Sequence, residues 1–140
     1  MQELSISGSN TVQEVQHAFQ EVYPYLKIEF YFPFQAKATS YRKEEQLSGN
    51  TVLERYMRYR TAAVIDISAY RTVAELEDDF AQLVGLRVQV FRKSGNLWII
   101  TSLTDDWSLG KQNNEGESFS KPGIPKPLEE RVEDARFDNE

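Results

Sequence analysis

The sequence predicts an α+β two-layer sandwich made of duplicated βαβ units, with a hairpin strand added at the C-terminal end. Three observations lead there. The chain spells one capped helix twice, as "NTVQEVQHAF" and "RTVAELEDDF", 61 residues apart. The stretch after each helix alternates apolar and polar residues, the period of a strand with one buried face. The chain has 140 residues, 40% of them apolar, which suits one packed core.

The first unit opens with Leu4-Ser5-Ile6-Ser7, the second with Ile65-Asp66-Ile67-Ser68. Each helix then begins with Thr-x-x-Glu, at Thr11 and Glu14 and at Thr72 and Glu75. In such a box the hydroxyl accepts from the third helical amide, and the carboxylate reaches back to the amide of the threonine. Val12, Val15, Phe19 and Val22 form one apolar stripe; Val73, Leu76, Phe80 and Leu83 repeat it. Pro24 and Gly85 are the expected stops. In the following strands Leu26, Ile28, Phe30 and Phe32 point one way and Lys27, Glu29 and Tyr31 the other. Leu86, Val88 and Val90 likewise oppose Arg87, Gln89 and Phe91. The offset falls to 60 here because Tyr25 has no counterpart. With one apolar face per strand, both helices are expected on the same side of a single sheet, close to the ferredoxin-like split βαβ plan.

The repeats span about residues 4–31 and 65–91, inside a single domain of residues 1–113. An insert at about 33–60 reads as a long loop, followed by a short helix at a third Thr-x-x-Glu, Thr51 to Glu54. After the second unit, a tight turn at Ser94-Gly95 or Gly95-Asn96 starts a hairpin strand over about Leu97 to Leu103. Either turn leaves Phe91, Trp98 and Ile100 on one face. Thr104, Asp105 or Asp106 is the expected cap of a short helix ending near Gly110 or Asn113. Residues 114–140 read as a flexible acidic tail, with a marginal helix at Leu128 to Phe137.

Composition narrows function. The absence of cysteine excludes disulfides, thiolate metal sites and thiol nucleophiles. No apolar run reaches the length of a membrane span and the N-terminus lacks a signal-peptide layout, so a cytoplasmic protein without a membrane partner is expected. The net charge of −6 is uneven: residues 36–60 carry six bases and three acids, residues 115–140 eight acids and four bases. Phosphate binding draws on Lys and Arg, so an acidic chain is a poor general binder of nucleic acid. His17 lies off the apolar stripe and is expected in solvent. Glu77-Asp78-Asp79 reads as a solvated helix face, Asp105-Asp106 as a cap rather than a cation site. No catalytic residue, metal ligand or cofactor stands out.

The distinctive feature is the outward sheet face. Tyr31 and Phe91 hold aligned positions, Trp98 and Ile100 join Phe91, and Lys27, Arg87 and Arg92 supply positive charge. Contiguous apolar surface marks a partner site. The insert or tail would cover it, or a second copy would, or it would stack bases as RNA-recognition modules do.

The stretch "TVAELEDDF…GLRVQVFRKSGNLWIITSLTDDWSLGKQNNEG", residues 72–116, resembles a small family of uncharacterised bacterial proteins that share TVxELE, VQVFRKSG and TDxW…QN. The resemblance implies a bacterial source and no particular reaction or ligand. It also implies that Trp98, Thr104, Asp105, Trp107, Gln112 and Asn113 belong to one unit. Three functions are therefore expected in order. The first is a non-enzymatic interaction module meeting a protein partner or forming a homodimer through the outward face. The second is a single-stranded nucleic-acid or small-ligand binder using that face and the basic insert 36–60. The third is an acid–base enzyme of unidentified carboxylates.

Overall fold

The structure, a computed structural model, describes residues 2–31, 43–57 and 62–120. The strands and α-helices follow in the order β1 (Glu3–Ser7), α1 (Val12–Val22), β2 (Leu26–Tyr31), β3 (Ala62–Asp66), α2 (Val73–Asp79), β4 (Arg87–Ser94), β5 (Leu97–Ile100) and α3 (Leu109–Ser120). Phe32, four of the six bases of the insert and the expected helix at Leu128 to Phe137 lie outside the described residues.

Both capping boxes form. The Thr11 hydroxyl accepts from the Glu14 amide at 3.3 Å, and Glu14 Oε1 accepts from the Thr11 amide at 2.8 Å. Thr72 and Glu75 repeat the exchange at 3.1 and 2.9 Å. The stripes that begin at Val12 and Val73 enter one shared core. Phe19 and Phe80 are fully buried there with Ile6, Leu26, Ile28, Phe30, Ile65 and Leu86. Helix α2 passes into a π-turn, Phe80–Val84, and Gly85 closes it at φ 82°, a left-handed conformation open to a residue without a Cβ.

The α+β class and the added hairpin strand are present. The single sheet is not: β1 pairs with β3, and β2-β4-β5 form a separate three-stranded sheet. The reason lies in the pairing. Leu4 faces Ile65, the residue aligned with it at offset 61, and Glu29 faces Gln89, aligned with it at offset 60. Each strand thus bonds antiparallel to its counterpart in the other unit, so the two ladders close separately. Both turn their apolar residues to the shared core.

The ends of the helices are held by segments that sequence alone left as insert and addition. Val12 and Gln13 donate their amides to the carbonyls of Thr51 and Gly49, both at 2.9 Å. Val73 and Ala74 donate to Trp107 and Asp105 at 3.1 and 2.8 Å. In return Leu53 donates to Asn10 and Leu109 to Arg71, at 2.9 and 2.7 Å. Leu53 and Leu109 are both fully buried under these clamps. Thr51 to Glu54 therefore does not open a capped α-helix. It supports a single 3-10 turn, Leu53–Arg55, with no side-chain cap.

The hairpin turns at Gly95-Asn96, with Ser94 opposite Leu97 and Phe91 opposite Ile100. Strand β5 stops at Ile100, short of Leu103. The Thr101 hydroxyl instead donates to the Val90 carbonyl at 2.8 Å, and a 3-10 turn follows at Ser102–Thr104. Helix α3 starts beyond the expected Asp caps, with the Ser108 hydroxyl accepting the Lys111 amide. It runs to Ser120, past the boundary expected at residue 113. It continues because Gln112 and Gly116 are buried, Gly116 against Tyr25 and the Arg92 side chain.

Candidate functional site: the outer face of the three-stranded sheet

Alternation builds this face. From β2 it takes Lys27, Glu29 and Tyr31, from β4 Arg87, Gln89, Phe91 and Lys93, and from β5 Trp98 and Ile100. Cross-strand register sets the neighbours: Lys27 opposite Phe91, Tyr31 opposite Arg87, Phe91 opposite Ile100, and Lys93 opposite Trp98. The Lys27 ammonium lies 5.3 Å from the ring centroids of both Phe91 and Trp98, within cation–π range, and 3.2 Å from Glu29. Lys93 lies 5.8 Å from the Trp98 ring. Phe91, Trp98 and Ile100 are half-buried.

The two ends of the face differ. At one end Tyr31 is only 3% exposed. There the insert returns along the free edge of β2: Gln46 bridges to Tyr31, and the Leu47 amide donates to the Phe30 carbonyl at 2.8 Å. Glu45 places a carboxylate 3.6 Å from Arg87 Nη2. Tyr31 is thus on the expected face but covered. Phe91, Trp98 and Ile100, at the other end, keep part of their surface in solvent.

Of the seven predicted binding residues, the structure brings Lys27, Tyr31, Arg87, Phe91, Trp98 and Ile100 to this face. Arg92 is a correction. It sits opposite Leu26 and Ile99, on the core side of the sheet, and is 7% exposed. Its Nη1 donates to Gln112 Oε1 at 2.8 Å, and its guanidinium stacks 5.5 Å from the Trp107 ring. As the direct neighbour of Phe91 on a strand, it had to point the other way. The same alternation brings Lys93 to the outer face, opposite Trp98.

Arg92 belongs with Thr104, Trp107, Gln112 and Asn113 on the core side, while Asp105 turns to α2, its carbonyl accepting the Ala74 amide at 2.8 Å. Gln112 Nε2 donates to both the carbonyl and the hydroxyl of Thr104, at 2.8 and 2.9 Å. Asn113 Oδ1 accepts the Tyr25 amide at 2.9 Å. Lys111 covers the Trp107 ring at 4.1 Å. Trp98 is not part of this group; it lies on the opposite side of the sheet. Bonded this way, the group fastens α3 to β2 and β4.

Glu77 is a second correction. It does not sit on a solvated helix face but is half-buried, and its Oε2 accepts the Val90 amide at 3.1 Å. Burial pushes its carboxyl up to about 7; the Val90 amide pulls it down, and the Asp105 charge raises it. His17, by contrast, is 77% exposed and lies 3.1 Å from Glu21. Among the described residues no three His, Cys, Asp or Glu side chains gather as a metal site, and no helix is long and apolar enough to cross a membrane.

No family model, curated protein or solved structure matches the chain. The functional argument therefore rests on the chemistry of the outer face: two partly exposed rings, a branched aliphatic chain and two ammonium groups on one three-stranded sheet.

Proposed function

We propose that this protein is a non-enzymatic interaction module that holds a protein partner on the outer face of β2-β4-β5. The observation that carries the reading is the cluster of Phe91, Trp98 and Ile100 around the Lys27 ammonium, which keeps part of its surface in solvent where Tyr31 is buried. Aromatic side chains on a rigid surface give large contact area at low entropic cost, which is why they anchor interfaces. A cytoplasmic setting and an internal duplication of the βαβ unit are parts of the same proposal. The duplication is supported by the pairing of aligned residues and by the matching clamps at both helix starts.

Phe91→Ala combined with Trp98→Ala tests the reading. Both rings lie outside the shared core, so the double variant should melt within a few °C of the parent while losing association with a partner, or with itself. Sedimentation at several concentrations and pull-down with a melting curve for each variant read this out. A large fall in melting temperature with association unchanged would show the rings to be packing elements and end the proposal.

Nucleic acid is the second reading. Of the basic insert, Lys43 and Arg55 lie within the described residues; Lys37, Arg42, Arg58 and Arg60 lie outside. The net charge of −6 weighs against it.

A further inference from the structure

We infer that the Lys27–Phe91–Trp98 end of the outer face binds a carboxylate-bearing segment of a partner protein, an inference that rests on the proposed use of that face. The argument comes from the face itself. At offset 60, Lys27 aligns with Arg87 and Tyr31 with Phe91. Register then pairs Lys27 with Phe91 and Arg87 with Tyr31. The face therefore carries the same cation–aromatic pair twice, once at each end, with Glu29 and Gln89 between them.

At the Tyr31 end the chain fills its own site. A 3-10 turn, Lys43–Glu45, brings Glu45 to Arg87, and the residues after it run beside β2. At the Phe91 end the strand in the corresponding place is β5, Leu97–Ile100, and its four residues contain no acid. Lys27 has Glu29 two residues along its own strand, and Lys93 adds a second ammonium beside Trp98. Among the described residues Glu29 is the carboxylate paired with Lys27, and the further carboxylate at this end comes from the partner segment. Such a segment would set its acidic groups on Lys27 and Lys93 and its aliphatic side chains on Phe91, Trp98 and Ile100.

Charge separates this occupant from the others. A two-fold self-association through this face would bring Lys27 and Lys93 toward their own copies. Base stacking would bring a phosphate backbone to a chain whose net charge is −6, which weighs against it. A carboxylate instead pairs directly with the two ammonium groups, the charge complementarity that sets orientation at an interface.

The test uses the full chain at low ionic strength and three probes: a short synthetic peptide of alternating glutamate and leucine, its glutamine-for-glutamate counterpart, and oligouridylate. The glutamate peptide is expected to shift the Trp98 indole resonance, to weaken with added salt, and to bind about tenfold more weakly to a Lys27→Gln, Lys93→Gln double variant. Lys93→Gln alone, outside the Lys27–Glu29 pair, gives the same comparison should the double variant fold poorly. Equal binding of the glutamine peptide, or tighter binding of oligouridylate, overturns the inference. If Phe91→Ala with Trp98→Ala abolishes that binding, the face still stands as a binding surface. Absence of any shift at Trp98 with the glutamate peptide also overturns the inference, and the association measurements on the aromatic double variant then decide the face separately.

Discussion

Gln16 and Glu77 hold the same position in α1 and α2, and each reaches an edge of the strand that follows its helix. Gln16 Nε2 donates to the Ile28 carbonyl and to Glu29 Oε1, both at 2.8 Å. Glu77 accepts the Val90 amide. One helix thus covers its strand edge with a neutral amide and the other with an ionisable acid.

That difference predicts a pH dependence. The Glu77 carboxyl titrates near 7 in the folded chain against 4.5 for an ordinary glutamate. The folded state therefore holds the proton more tightly than the unfolded one. Its contribution to stability is complete below about pH 4.5 and is lost as the pH rises through 7. Glu77 is half-buried, so the loss should be about 1–2 kcal/mol rather than the full linkage value. Melting curves between pH 5 and pH 8.5 should show a downward drift of several °C in the parent and a flatter profile in Glu77→Gln. An identical slope in both proteins would exclude Glu77 as the source.

Gln112→Ala should separate the core side of the sheet from the outer face. Gln112 is fully buried and bonds Arg92 and Thr104 at once. Removing it leaves buried polar groups short of partners, at a cost of about 1–3 kcal/mol. Chemical denaturation should record that loss. Binding at the outer face, measured on the folded variant, should stay at the parent value.

Gly116→Ala should be more costly than Gly95→Ala. A Cβ at Gly116 would lie 2.8 Å from Tyr25 Cβ and 3.1 Å from its carbonyl oxygen, so α3 would have to move off β2. Overpacking of this kind costs about 1–3 kcal/mol. At Gly95 nothing lies within 4 Å, and the penalty is the φ of +61° alone, about 1 kcal/mol. Denaturation midpoints of the two variants rank them directly; the reverse order would remove the close approach at Gly116.

Leu53→Ala and Leu109→Ala should destabilise by similar amounts, about 2–5 kcal/mol each. Both leucines are fully buried beneath backbone clamps that hold aligned helix starts. Equilibrium unfolding of the two variants checks the equivalence. A near-neutral Leu53→Ala would show that the first clamp does not stabilise α1 as the second stabilises α2.

Much of this was legible in the sequence because its signals are local. A capping box spans four residues, an alternating strand needs only its period of two, and Gly95-Asn96 was one of two turns the hairpin allowed. The same period of two, running on past Phe91, encodes Arg92 on the core side and Lys93 on the face. The clamps were not legible. "SGNTVL" and "TDDWSL" share little beyond a leucine and act through backbone carbonyls, which carry no side-chain signature.

The amino-acid order alone determined the two capped helices, the apolar face of each strand and the hairpin register, since each depends on neighbours within a few positions. Tertiary structure decided which strand pairs with which, that α3 continues to Ser120, that Glu77 is partly shielded from water, and that Tyr31 is buried while Phe91 stays partly exposed. Those outcomes depend on segments dozens of residues apart in the chain. The pairing and burial of a polar group follow from what packs against it, and no local pattern encodes that.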